Sequence, residues 1–223
     1  MPDWVLGPSA IVGGFATALA TGDLLLHIVA SLSRSVPGFA LGTLAGIALG
    51  LLAGVSRLAD TMLSPSIFLS YPVPKIVLLP IVMVWFGIGD ASKIVIIALA
   101  CFYPAFINAY YGARSTRALL VWSALNMGAR RRHLFWKVVV PSALPMMLSG
   151  MRIALALSFI LLFAAEMVGA RSGLGYLIKQ SENSLRFDLM YVSIITIAVL
   201  GWLGDTLLCA VGRRLVRWQE QRV

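Results

Sequence analysis

The sequence predicts an all-α membrane protein with about five helices that cross the bilayer, and three observations predict it. Of 223 residues, 60 % are hydrophobic and only 12 % charged, where a soluble domain carries about 25 % charge. The apolar residues gather into runs close to the ~20 needed to cross ~30 Å of hydrocarbon. The 18 Lys and Arg fall mostly between those runs or at their ends, so the formal charge of +9 is a topology signal rather than a nucleic-acid footprint.

In chain order, residues 1–35 form an outer or interfacial segment, in which Ala10 to Ala30 is only moderately apolar and is interrupted by Gly13, Gly14, Gly22, Asp23 and His27. A short interfacial helix is expected there, and no removable signal peptide, because no basic stretch precedes an apolar run with a cleavage site. Residues 36–212 form one membrane domain. Its first span, Val36 to Val55, closes on Arg57 and Asp60. Gly38, Gly42, Gly46, Gly50 and Gly54 recur in it at every fourth residue. Such a stripe lets another backbone approach closely where lipid supplies no hydrophobic drive between helices; it serves packing or, alternatively, lines a path.

Ile67 to Ile88 is the second span, interrupted by Pro72, Pro74 and Pro80 with Lys75 among them. Proline removes an amide donor and clashes one turn back, so a kinked or partly unwound start is expected. Irregular backbone at membrane depth survives only inside protein or beside a water-filled cavity. These prolines therefore mark either a path lining or a kinked packing helix. After the turn Gly87 to Asp90, a third span from Lys93 to about Tyr111 contains Pro104 and completes a hairpin.

Gly112 to Ser142 carries Arg114, Arg117, Arg130, Arg131, Arg132, His133 and Lys137 and no acidic residue, so it cannot sit in hydrocarbon. Its apolar residues recur at helical spacing, which predicts two short helices broken at Gly128 and ended by Pro141 and Pro145. A fourth span, Met146 to Val168, carries Arg152 and Glu166; a fifth, Leu189 to about Val211, carries Asp205 and leads into a basic tail, 213–223. With the arginine-rich loop on the cytoplasmic side, alternation puts 13 of the 18 Lys and Arg inside, Lys75 and Arg152 included. The N-terminus is then outside and the C-terminus cytoplasmic.

Several chemistries are absent. None of the four lysines follows a glycine, so no phosphate-binding loop exists and the chain does not hydrolyse ATP alone. His27 and His133 fall on opposite sides of the membrane, and Cys101 and Cys209 lie in apolar runs. No metal site and no disulfide are expected, and no catalytic residue is assigned.

The segment WSALNMGARRRHLFWKVVVPSALP, residues 122–145, resembles the E-A-A loop of binding-protein-dependent ABC importer permeases. Gly128 and Pro141, thirteen residues apart, match the family spacing, and Ala124 and the closing Ala-Leu-Pro are shared. SLSRSVPGFALGTLAGIALGLLAG, VWFGIGDASKIVIIALACFYPAFINAYYG and AEMVGARSGLGYLI are similar to the nitrate, sulfonate and taurine branch, so the resemblance covers nearly the whole chain from about Pro8. Two departures stand out. Trp122 occupies the place of the family's acidic residue, and members commonly begin with one more spanning helix.

The resemblance implies a type I ABC importer permease core, a transport subunit that is not an enzyme. It implies a partner ATPase dimer that binds ATP and Mg, a periplasmic solute-binding protein and a second copy of the chain, with the chain itself in the bacterial inner membrane. The loop 113–145 would couple to the ATPase through Ala124, Leu125, Asn126, Met127, Gly128, Ala129, Arg130, Arg131, Arg132 and Pro141. The arginines suit an acidic rim, and Leu125, Met127, Leu134 and Phe135 an apolar floor; the other reading has the arginines touch only lipid headgroups. Glu166 is either a gate or binding-protein contact or an interfacial structural hydrogen bond, and Asp205 pairs with Arg213 or a neighbour. The branch points to a small solute such as a sulfonate, taurine or nitrate. An ion-coupled transporter or channel using Glu166 or Asp205 is the alternative.

Overall fold

A computed structural model describes residues 7–216, and every regular element among them is helical. The helices are α1 (Pro8–Ala20), α2 (Asp23–Val55), α3 (Arg57–Ser70), α4 (Leu79–Phe86), α5 (Asp90–Arg114), α6 (Ala118–Asn126), α7 (Arg131–Leu134), α8 (Val140–Met167), α9 (Leu174–Asn183) and α10 (Phe187–Leu215). A 3-10 turn, Lys75–Leu78, precedes α4, and a π-helical stretch, Phe135–Val139, precedes α8. Four stretches are long and apolar enough to cross a membrane, namely α2, α5, Arg131–Met167 and α10; the bent pair Arg57–Ser70 and Lys75–Phe86 would make five.

The helices group into two compact units. The first gathers Met1–Phe39, Pro74–Ala98 and Ala156–Gly204. Its core is Ala18, Leu24, Leu174, Leu177 and Val192, with Ile11, Ile28 and Leu189 packed on it. The second gathers Ala40–Val73, Leu99–Leu155 and Asp205–Val223. Here Leu51, Ala109, Ala113, Val139, Ala143 and Met147 form one cluster. A ladder on α5 forms the other, Phe102 stacking on Phe106 and Phe106 on Tyr110, with Phe68 of α3 edge-on at 73° to Phe106.

The glycine stripe lies where α2 meets α5. A Cβ at Gly46 would stand 2.5 Å from the Phe102 carbonyl oxygen, one at Gly50 would collide with that of Phe106, and one at Gly54 would stand 2.6 Å from Ala113 Cβ. Gly38, in the first unit, meets Ile97 in the same way, and Gly42, in the second, is buried.

Four boundaries differ from the sequence expectation. The first span starts at Asp23, so α2 runs 33 residues, about 50 Å at 1.5 Å each, and the 35/36 boundary falls inside a continuous helix. Its early polar residues are helical because they are satisfied by protein, as described below. The second span begins at Arg57, capped by Ser56, whose hydroxyl accepts the Ala59 N–H at 3.4 Å. Pro80 opens α4 rather than breaking it, since a first-turn residue needs no amide donor. Pro141 and Pro145 end nothing: the helix runs through both, with the wide π turn just ahead of Pro141. A π turn shifts the bonding pattern by one residue, which accommodates the carbonyls that a proline leaves without a donor. Lys75, in the 3-10 turn, belongs to the first unit.

Candidate functional site

The loop 113–145 takes its shape from one glycine. At the end of α6, the Gly128 N–H donates to Leu125 O (2.9 Å) and the Ala129 N–H to Ala124 O (3.0 Å). This crossed pair is a Schellman motif, whose turning residue must adopt a left-handed conformation, and Gly128 has φ 79°. A Cβ there would meet nothing within 4 Å, so glycine is required for its backbone and not for space. The chain then re-enters helix at Arg131 after an extended Arg130.

This turn leaves the tip of the loop open. Asn126, Met127, Arg130, Arg131 and Arg132 are exposed and Ala124 and Ala129 half-buried; Met127 is 81 % and Trp122 65 % exposed. Leu125 is exposed too, but Phe135 packs against the core cluster around Val139 and Ala143. It therefore leaves the proposed apolar floor. Leu119 and Trp136, which the sequence did not single out for contact, are 74 % and 61 % exposed and extend the apolar surface on the same loop. Pro141 is half-buried at the root of α8.

Glu166 sits in a different setting. Its carboxylate is wholly buried and ion-paired with Arg34 Nη1 at 2.7 Å. Ser31 Oγ stands 2.9 and 3.0 Å from its oxygens, and the Gly175 N–H donates to it at 2.9 Å. Arg34 also reaches Asp90 (Nε to Oδ1, 2.6 Å) and donates to Ser172 O at 2.7 Å. The start of α9 is tied down by the same face of α2: the Gly173 N–H donates to His27 Nδ1 and the Leu174 N–H to Ser31 Oγ. A negative carboxylate beside the N–H groups of a helix start is electrostatically favourable. Gly173, with φ 119°, lies so tight on the Glu166 carboxylate that no side chain fits. Lys93, fully buried, donates to Gly89 O at 3.0 Å and approaches Gly169 O at 3.4 Å.

Sequence inspection missed Arg34 as the partner of Glu166, although a signal existed. Asp23, His27, Ser31 and Arg34 are spaced by four, four and three residues, a polar stripe on one helix face. Asp205 pairs with Arg152 and not Arg213: Nε to Oδ1 is 2.7 Å and Nη2 to Oδ2 2.8 Å. Pro72 and Pro74 lie in the exposed break between α3 and the 3-10 turn. Among the described residues no three His, Cys, Asp or Glu side chains are grouped to hold a metal.

Comparison with known proteins reaches most of the chain. The family model for the binding-protein-dependent transport system inner membrane component matches residues 46–223. The aliphatic sulfonates transport permease SsuC of Escherichia coli (strain K12) is 39 % identical over 211 residues, covering 95 % of this chain and 80 % of the relative. The taurine transport system permease TauC of the same organism is 37 % identical, covering 87 % and 71 %. The riboflavin transport system permease RibX of Chloroflexus aurantiacus is 35 % identical, covering 98 % and 82 %. A chain of the MetNI methionine ABC transporter, solved in an inward-facing conformation, shares the fold with TM-score 0.69 at 22 % identity, covering 87 % of this chain and 94 % of that one. The family match, and not the ion-coupled alternative, accounts for the chain. The chain belongs to the family of binding-protein-dependent inner membrane components: it is the non-catalytic, multi-pass permease subunit of an ABC importer, whose partners are an ATPase, which binds the ATP, and a solute-binding protein.

Proposed function

We propose that two copies of this chain form a twofold permease that carries a small sulfonate-type anion into the cell, with the loop around Gly128 seated in the ATPase. The observation that carries the coupling assignment is the left-handed Gly128 turn, which projects exposed Met127 beside three exposed arginines. An apolar knob ringed by charge suits a docking contact, with the knob giving affinity and the charges orientation. Headgroup attraction alone requires no such turn. Trp122, in place of an acidic residue, adds apolar area to that contact.

Charge supports the orientation. The arginine-rich loop and the basic tail hold ten of the 18 Lys and Arg, so the positive-inside rule puts both in the cytoplasm and the N-terminus outside. The twofold pair is supported by the break at Pro72 and Pro74, whose exposed irregular backbone needs protein or water against it at membrane depth; this break and Pro80 line the path. Glu166, enclosed by Arg34 and Ser31, acts as a structural tie at the outer mouth. The sulfonate class rests on the relatives that carry aliphatic sulfonates and taurine.

The test is ATP-driven uptake by vesicles holding the chain with its ATPase and binding protein, offered a sulfonate, taurine, nitrate and riboflavin. Sulfonate or taurine accumulation is expected. Riboflavin accumulation alone would replace the solute, and failure to retain any ATPase on gentle purification would overturn the docking assignment.

A further inference from the structure

The Arg152–Asp205 pair lies on two helices that cross the membrane, α8 and α10. Asp205 is ten residues from the end of α10 at Leu215, about 15 Å along the axis. The pair therefore lies within the lengths of both helices and not at their ends. Yet Arg152 and Asp205 are 54 % and 41 % exposed. Charges inside a bilayer face a protein interior or water and not lipid, because hydrocarbon solvates neither member of the pair.

What the pair faces is a cavity of about 880 Å³, also lined by Ser149, Thr206, Cys209 and Arg213. With ~30 Å³ per water molecule, it has room for a solvated small anion. Its charges are unbalanced. Asp205 engages two of the Arg152 nitrogens and leaves Nη1 unengaged by it, while Arg213 has no carboxylate partner among the described residues. Two guanidinium groups against one carboxylate give the cavity a net positive charge.

We propose that this cavity is a water-filled vestibule of the translocation path, in which Arg152 and Arg213 hold the transported anion and Asp205 fixes the Arg152 guanidinium. That this anion is a sulfonate rests on the functional assignment above. The vestibule itself is argued from the placement of the pair on spanning helices, its exposure and its charge.

The chain carries its own probe. Cys209 lines the cavity, with Sγ 3.9 Å from Asp205 Oδ2, while Cys101 is fully buried. The complete transporter, with Cys101→Ser, is placed in zwitterionic lipid vesicles and treated with an anionic or a cationic methanethiosulfonate. Attack by the Cys209 thiolate forms a mixed disulfide and releases methanesulfinate. The anionic reagent is expected to react about tenfold faster, since a cleft lined by one sign of charge concentrates the opposite one. Arg213→Gln should bring the ratio toward unity, and excess sulfonate should slow the anionic reagent.

No labelling by either reagent, in a transporter that still takes up solute, would overturn the proposal by showing that lipid or a second copy covers the face. Equal or cation-favoured rates would overturn anion binding. A ratio that collapses when anionic lipid is added would assign the site to a headgroup and remove it from the path. Labelling as expected without ATP-driven uptake would instead count against the importer assignment and leave the vestibule standing.

Discussion

The two units hold their charges in opposite ways. The first has six basic and six acidic residues and no net charge; the second has twelve and three, which is the whole formal +9 of the chain. In the first, Arg34, Lys93 and Glu166 are buried and bonded to one another's surroundings. In the second, Arg114 and Arg152 keep more than half of their side chains exposed although each meets an aspartate, and the loop arginines are exposed. The buried charges of the first unit therefore fix structure, whereas the paired and loop charges of the second stay accessible.

The comparison predicts that a charge deletion is most damaging where charge is buried. Glu166→Ala removes the buried one of the two carboxylates that Arg34 meets and leaves it only the exposed Asp90, a loss whose upper bound is the about 3–5 kcal/mol of a broken buried pair. It also strips acceptors from the Gly175 N–H and Ser31. The thermal midpoint of the purified transporter should fall sharply, and Glu166→Gln, which keeps an acceptor, should fall less. An unchanged midpoint with lost uptake would break the comparison and make Glu166 a gate.

The second unit should be sensitive to volume rather than charge. At Gly50 an added methyl meets the Phe106 backbone carbonyl, which cannot move aside like a side chain. Gly50→Ala should therefore destabilise by about 1–3 kcal/mol, as overpacking does, even though alanine favours helix by about 1 kcal/mol. Gly89→Ala, where a Cβ meets nothing within 4 Å, is the control and should leave the midpoint unchanged.

A smaller stability effect but a large functional one is expected at Gly128. A β-branched residue in the left-handed region costs about 1–2 kcal/mol locally and re-aims the loop. Gly128→Val should lose most ATP-driven uptake with the membrane fold intact, and Gly128→Asn, whose side chain tolerates that conformation, should keep part of it. Normal uptake by the valine variant would sink the coupling role of the turn.

These sites were unequally legible in the sequence. Gly128 and the stripe from Gly38 to Gly54 could be read directly, because a turn signal between charged helices and a four-residue period are local patterns. The Glu166 site could not, since its partner Arg34 lies 132 residues away and no spacing rule spans that distance. The start of α2 was hidden for a related reason: Asp23, His27, Ser31 and Arg34 look like loop residues until their shared helix face finds the first turn of α9. The prolines misled in the opposite direction. Pro80 and Pro141 were expected to break helices, yet one sits where no donor is needed and the other follows a π turn that absorbs the mismatch.

The smallest predicted effect separates the two uses of exposed charge in the second unit. Arg130, Arg131 and Arg132 are exposed and their reversal to glutamate disturbs no ion pair among the described residues, so the thermal midpoint should stay where it is. Retention of the ATPase should fall at low salt, and wild-type retention should fall toward the variant's level as ionic strength rises, because exposed charges are screened beyond about 8 Å at 0.15 M. Headgroup attraction alone would give a different pattern: ATPase retention unchanged at every salt concentration, with weaker partitioning of the variant into anionic lipid. Since Met127 and Trp122 remain in place, some salt-resistant retention should persist in the reversed variant, and its size measures how much of the contact is apolar.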